Sequence, residues 1–282
     1  MCCGQLETRF HDTPIVVLQR EPSRMLSLGA SIVLYRTRVD ELRRLVSQLL
    51  EQGATRVYLV DNSPLTFDTF SAWEPPERVV IIRTGRNLGY GAGHNLAIRD
   101  SVLRHRYHLV CNPDIDLGPD VLPRLHSALE ERPDVGLCMP RIVGRDGALQ
   151  YACKRAPSPI DYLARVVSPA GWGARRRFRF EMRDCSYDGE MEVECLSGCF
   201  MFFRSAVLSR LSGFDERFFL YFEDFDLARR ARRLARNLYY PFSHVTHGYA
   251  RAHAHSWRLT ATFVRSAVRY FNKWGWWPND RA

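Results

Sequence analysis

Between residues 31 and 140, short apolar runs alternate with stretches of helical period, and few architectures accept that order. "SIVLY" (31–35) is followed by the amphipathic "VDELRRLVSQLLEQG" (39–53), with Gly53 as the stop, and then by strands "RVYLVDN" (56–62) and "RVVIIR" (78–83). A glycine-rich turn, a helix over about 92–105, strand "YHLVCN" (107–112), a helix near 119–131 and strand "VGLCMP" (135–140) continue the pattern. Strands that alternate with helices predict a single α/β domain, a mostly parallel Rossmann-like sheet with helices on both faces. At 282 residues and 46% hydrophobic content the chain can bury such a core.

The flanks read differently. Residues 1–28 look like a leader, with one short strand at "PIVVL" (14–18). Residues 153–190 mix proline, glycine and arginine without a period and read as a long connection or flap. Order returns over 191–211 as one or two strands and a short helix, and "SWRLTATFVRSAVRYFNKWGWW" (256–277) reads as a basic, aromatic-rich amphipathic helix. That helix fits either an interfacial anchor or one packed on the domain. No stretch approaches the roughly 18 apolar residues of a spanning helix, and "MCCGQLETRFHD" lacks the order of a signal peptide, so a cytoplasmic location is expected.

The eight cysteines are dispersed, with no C-x-x-C pair, and read as buried thiols rather than a disulfide framework or zinc site. The formal charge is +9, and Lys154 and Lys273 are the only lysines. Arginine recognises phosphate bidentately, which suggests a nucleotide, a nucleic acid or an anionic membrane as partner.

In open α/β sheets ligands bind beyond the carboxyl ends of strands. Asp61 and Asn62 end one strand, as a ligand contact or as turn chemistry. Gly85–Gly93 matches neither a dinucleotide fingerprint nor a P-loop; Asn87, His94 and Asn95 within it could bond a sugar or pyrophosphate, or serve the turn and helix. In "NPDIDLGPD", Asp114 and Asp116 stand one residue apart after an apolar strand, on one face of extended chain, suited to Mg²⁺ or Mn²⁺ or else to an Asx-Pro turn.

"FFLYFEDFDLARRARR" sets three carboxylates among rings. On a helical grid Glu223 and Asp224 continue the apolar stripe of Leu227, Ala228, Ala231, Leu234 and Ala235, whereas Asp226 precedes Arg229 and Arg230 by three and four residues, where helical ion pairs account for it. Macrodipole complementarity explains the signs of the charges but not the aromatic wall, which would raise a carboxyl pKa and suit a general base.

Together these motifs, in order over about residues 29–250, resemble the family 2 glycosyltransferases of the GT-A fold, most closely the rhamnosyltransferase-like branch of bacterial polysaccharide and lipopolysaccharide assembly. "SIVLYR", "LVDNS", "NLGYGAGHN", "NPDID" and, most specifically, "LSGCFMFFRSAVLSRLSGFDERFFLYFEDFDLARRARR" carry the resemblance. It implies nucleotide-sugar contacts from Ser31, Tyr35, Asp61, Asn87, Gly89, Asn95 and Asp114. It implies a metal at Asp114 and Asp116, with Asp116 favoured as direct ligand and His247 as a further candidate. Asp224 becomes the base, with Glu223 beside it; Ser197, Gly198 and Cys199 line the acceptor side, with Asp215 and Glu216 supporting it. The implied reaction is an inverting transfer from a nucleoside diphosphate sugar, dTDP-L-rhamnose before a UDP-sugar, to a glycan or lipid-linked saccharide, with Mg²⁺ or Mn²⁺ and with the membrane surface as an added partner. The competing readings are a sugar nucleotidyltransferase, disfavoured by the absence of a glycine-rich basic loop after the first strand, and a basic nucleic-acid-binding protein, disfavoured by acids interleaved among the rings.

Overall fold

The computed structural model describes residues 26–37, 39–70, 73–167, 171–248 and 257–277. The strand expected at 14–18 and the pair Cys2 and Cys3 lie outside them. In chain order the elements are β1 (Leu28–Leu34), α1 (Val39–Glu51), β2 (Arg56–Asp61), β3 (Val79–Arg83), α2 (Tyr90–Arg104), β4 (Tyr107–Cys111), β5 (Ile115–Leu117) and α3 (Val121–Glu131). There follow β6 (Val135–Val143), β7 (Cys153–Lys154), α4 (Pro159–Val167), α5 (Trp172–Phe180), β8 (Met191–Glu192), β9 (Cys195–Leu196), β10 (Phe200–Arg204), α6 (Ser205–Leu211), α7 (Glu223–Arg232), β11 (Arg236–His247) and α8 (Trp257–Trp274).

Side-chain alternation along β1 and β2 sends residues to two faces, and each face finds a helix. Ala30, Ile32, Leu34, Val57 and Leu59 join Leu42, Leu45, Val46 and Leu49 of α1 in the main core. Val33, Tyr58 and Val60 pack instead on Ala97 of α2. Gly53, at φ +99°, closes α1 as expected.

The sheet runs β3-β2-β1-β4-β10-β6-β11-β5, with β8 paired to β11. Its first four strands are parallel, as the alternation predicts. Beyond β4 the sheet is mixed, because β10 runs antiparallel between β4 and β6. "FMFFR" is buried almost throughout, and a buried apolar run carries no sign of strand direction.

The stretch read as an unstructured flap holds a helical hairpin. Pro159 stands at the first turn of α4, and the Ser158 backbone N–H and hydroxyl both donate to Asp161 Oδ2, at 3.1 and 2.7 Å. Arg176 of α5 donates to Asp161 Oδ1 at 2.7 Å. The described cysteines are free, and all but the half-buried Cys185 are buried.

The inner face of α8 packs on the domain. Tyr270 and Phe271 form a cluster with Phe218 and Phe222, joined by Tyr162 of α4, Phe225 and Phe263. This cluster lies directly behind the start of α7.

Candidate active site

The chain reaches α7 through two consecutive left-handed residues, Tyr221 at φ +70° and Phe222 at φ +67°. Non-glycine residues resist this conformation by roughly 1 to 2 kcal/mol each, so packing must hold the turn. The Phe222 ring lies 5.2 to 5.3 Å from those of Tyr270, Phe263 and Tyr162.

That turn buries Glu223, as the helical grid predicts, and leaves Asp224 half-buried. Asp224 Oδ2 accepts the Gly198 backbone N–H at 3.0 Å and Oδ1 accepts that of Phe225 at 2.8 Å. Burial raises its pKa while these donors oppose the rise. Glu223 is 5% exposed, and its Oε2 has no hydrogen-bond partner. Burial, then the neighbouring Asp224 charge, push it well above the carboxylate range. Asp224, with backbone donors opposing the rise, is thus the acid of the pair that ionises first.

Two readings of this stretch are corrected. Asp226 is fully buried, bound by Arg230 at 2.8 Å, Lys273 at 2.7 Å and the Trp274 indole N–H at 2.9 Å. Two of these partners come from α8, more than forty positions on, so a local helical ion pair accounts for only part of its setting. Leu234, placed on the apolar stripe, is exposed because α7 ends at Arg232.

A cavity of about 810 Å³ is lined among others by Asp114, Gln150, Lys154, Ser197, Cys199 and His247; Glu223 and Asp224 do not line it, and Asp224 meets its wall through the N–H of Gly198, between Ser197 and Cys199. Burial pushes the Cys199 thiol up to about 12, and the charges of Asp114 and Asp224 add to the rise. Ser197 and Cys199, expected on the acceptor side, line this cavity. Gly198 is pinned behind them, its N–H on Asp224 and its carbonyl accepting the Tyr90 hydroxyl at 2.5 Å.

Gln150 Nε2 donates to the His247 carbonyl at 3.0 Å, which turns Gln150 Oε1 toward His247 Nδ1 at 2.9 Å. The ring proton then sits on Nδ1, and the Nε2 lone pair faces Asp114 Oδ1 at 3.4 Å. Asn112 Nδ2 also stands 3.4 Å from Nε2. An imidazole oriented from behind and a carboxylate in front of it make a donor set that fits a divalent cation. Asp116 stands elsewhere: β5 pairs it with Thr246, its carboxylate is bound by Arg44 of α1, and it does not line the cavity. No group of three metal-binding side chains occurs among the described residues. Asp116, expected as the direct ligand, is thus engaged by Arg44 outside the cavity, whereas Asp114 and His247 face each other within it.

The nucleotide-side expectations divide. Ser31 is 0% exposed, and its hydroxyl bonds His94 Nδ1 at 2.7 Å and His108 Nε2 at 2.8 Å inside the core, so it cannot touch a nucleotide. Burial lowers the pKa of both imidazoles and keeps them neutral. Asn95 is buried too, its amide spent on Phe214 and Glu216; it fastens α2 to the following loop and is not available to a ligand. Asn87 Oδ1 accepts the Gly89 N–H at 2.9 Å, the turn role. Gly89, at φ +90°, would place a Cβ 2.2 Å from the Phe219 carbonyl, so this glycine answers to the chain's own turn rather than to a ligand. Asp61 caps its loop, accepting from Ser63 N–H at 2.9 Å and the Thr69 hydroxyl at 3.1 Å. Tyr35 is half exposed, beside Arg36, whose N–H donates to Ser63 in the same loop.

Asp215 and Glu216 do not line the cavity. Asp215 is taken by Arg217 at 2.6 Å and Lys273 at 2.8 Å, and Glu216 by Arg99 at 2.6 Å and Asn95 at 2.9 Å. They brace the site's frame instead of meeting an acceptor. Tyr90, Gln150 and Lys154 escaped the sequence reading; only Tyr90 lay inside a motif that drew attention.

A family model described as "Glycosyltransferase like family 2" matches residues 40–262. An N-acetylglucosaminyl-diphospho-decaprenol L-rhamnosyltransferase of Mycobacterium tuberculosis is 27% identical over 209 residues, 71% of this chain and 68% of that protein. The low-salt glycan biosynthesis hexosyltransferase Agl10 of Haloferax volcanii is 26% identical over 73% of this chain and 62% of its own length. Among solved structures, GalNAc-T7 with UDP, GalNAc and Mn²⁺ aligns over 89% of this chain at TM-score 0.61 and 13% identity, and this chain spans about half of it (48%). The Pyrobaculum calidifontis mannosyltransferase PcManGT with GDP-Man and Mn²⁺ aligns over 90% of this chain and 65% of its own, at TM-score 0.55 and 16% identity.

Proposed function

Because the chain belongs to the family 2 glycosyltransferases and has their GT-A fold, we propose that it transfers a sugar with inversion from a nucleoside diphosphate donor, dTDP-L-rhamnose in first place, to a hydroxyl of a glycan or lipid-linked saccharide. The observation that carries this reading is a pair of differently held acids: Asp114, in the cavity wall and turned toward an oriented imidazole, and Asp224, half-buried and held by the backbone N–H groups of Gly198 and Phe225. They are suited to different tasks. Asp224 takes the proton of the acceptor hydroxyl as its oxygen attacks the anomeric carbon and the bond to the diphosphate breaks. Glu223, protonated, leaves Asp224 as the base. Asp114 and His247 would hold Mg²⁺ or Mn²⁺, which when bound neutralises charge gathering on the leaving diphosphate. Tyr35 and Asp61 stand at the nucleoside end, and Lys154 adds a cation to the cavity wall.

The competing readings lose their ground. A family 2 glycosyltransferase needs no nucleotidyl transfer. Several of the arginines that suggested nucleic acid are paired within the protein, as in Arg132–Glu190, Arg155–Asp184 and Arg176–Asp161.

The test is nucleotide release from a panel of nucleotide sugars with and without Mn²⁺. Release from dTDP-L-rhamnose that needs the metal is expected, and Asp114→Asn should weaken metal-dependent dTDP binding by about 10- to 100-fold, the usual scale for losing a metal-site partner. Asp116→Asn should change it far less. The reverse ranking would return the metal to Asp116.

No helix among the described residues is long and apolar enough to cross a membrane. We read the outer face of α8 as a peripheral contact. Trp257, Ala261, Val264 and Val268 form an exposed strip at helical spacing, flanked by Arg258, Arg265 and Arg269. Trp257→Glu with Val264→Glu should reduce co-sedimentation with phosphatidylglycerol vesicles, and unchanged sedimentation would refute it.

A further inference from the structure

The inner face of α8 has a separate task. Ser266 donates its hydroxyl to the Leu220 carbonyl at 2.8 Å, one residue before the left-handed pair Tyr221–Phe222. Tyr270 and Phe271 close on the Phe222 ring from behind. Lys273 bridges Asp215, at the head of this loop, and Asp226, in the first turn of α7, at 2.8 and 2.7 Å. The Trp274 indole donates to the same Asp226 oxygen, and Arg229 of α7 donates to the Tyr270 hydroxyl at 3.0 Å while lying 4.1 Å above the Trp274 ring. The loop from Asp215 to Asp226 is thus tied at its head, its apex and its exit by one helix.

We propose that α8 positions the catalytic base: Ser266, Lys273 and Trp274 fasten the left-handed turn that sets Asp224 on the Gly198 N–H, between the cavity-lining Ser197 and Cys199. The inference rests on the reading of Asp224 as base. The turn has a reason to need fastening. Two adjacent non-glycine residues at positive φ relax to ordinary backbone unless their surroundings forbid it, and relaxation at Phe222 would carry Asp224 off the Gly198 N–H. None of the three α8 residues lines the cavity. Their effect should appear in turnover and not in donor affinity.

Lys273→Met keeps the aliphatic stem and removes the cation. It should lower kcat for nucleotide release from dTDP-L-rhamnose by about tenfold, within the range that small misplacement of a catalytic group produces, while the donor KM and the affinity for dTDP stay as in the wild type. Lys273→Arg should recover most of the loss. Amide exchange should quicken over residues 220–226 while β1 and β4 keep their protection. A Lys273→Met enzyme with wild-type kcat overturns the proposal, as does a loss that appears only in KM. If that variant fails to fold, Ser266→Ala removes a single hydrogen bond at the apex, and an unchanged kcat there overturns it equally. Activity surviving in Asp224→Asn would refute the base assignment, whereas an inactive Asp224→Asn beside a fully active Lys273→Met would refute only the role of α8.

Discussion

Asp224→Asn is expected to abolish transfer, by about 10²- to 10⁴-fold in kcat, the usual contribution of a general base, while leaving donor binding intact. The amide is nearly isosteric with the carboxylate, and its oxygen can still accept the N–H of Gly198, although its NH2 then faces the Phe225 N–H and that one bond is lost. What disappears is the capacity to take a proton. The pH profile tests the same assignment. Burial raises the Asp224 pKa, and only the ionised form works, so wild-type activity is lost as pH falls through that raised value, above the ordinary aspartate range near 3.9. Glu223 stays neutral while Asp224 titrates and adds no charge to it, so Glu223→Gln should retain turnover and leave the acid limb in place. Nucleotide release across pH for both variants, with dTDP binding by calorimetry, decides between them. Near-normal transfer in Asp224→Asn together with loss in Glu223→Gln would exchange the roles.

Much of this was legible because it is periodic. β1 to β4 are short apolar runs and α1 and α3 bury apolar residues at helical spacing, and the helical grid carried Glu223 to the buried side, whereas Asp224 is half-buried and Asp226, left off the stripe, is fully buried. The failures share a cause of their own: a motif gives a residue's place in the chain but not the direction of its side chain. Ser31 lies in a strand that looks like a nucleotide-binding edge, yet it points at His94 and His108 across 63 and 77 positions. Asn95 looks like a ligand contact in a glycine-rich segment and is consumed by the loop at Phe214. Asp116 lies two residues from Asp114, and Arg44 engages it from α1. The partners that decide each case are remote in sequence. α5 was missed for a simpler reason: its run of arginines hides the helical period, although Ser158, Pro159 and Asp161 did announce α4.

The aromatic cluster behind the base gives the largest expected effect on stability. Phe222 is 1% exposed and touches rings from α4, α7 and α8. Truncating so buried a phenylalanine to alanine should cost about 3 to 5 kcal/mol, from lost burial and from the cavity left among rings too rigid to close it. The backbone adds a sharper expectation. Glycine is usually worse than alanine by up to 1 kcal/mol in a helix or strand, because it loses more freedom on folding. At φ +67° the order should reverse, since alanine retains the left-handed penalty and glycine does not. Urea unfolding of Phe222→Ala and Phe222→Gly would then show two strongly destabilised proteins, with the glycine variant the more stable of the pair. If alanine proved the better, the turn would not be held at positive φ in solution, and Asp224 would owe its place to its own hydrogen bonds with Gly198 and Phe225 rather than to the cluster behind it.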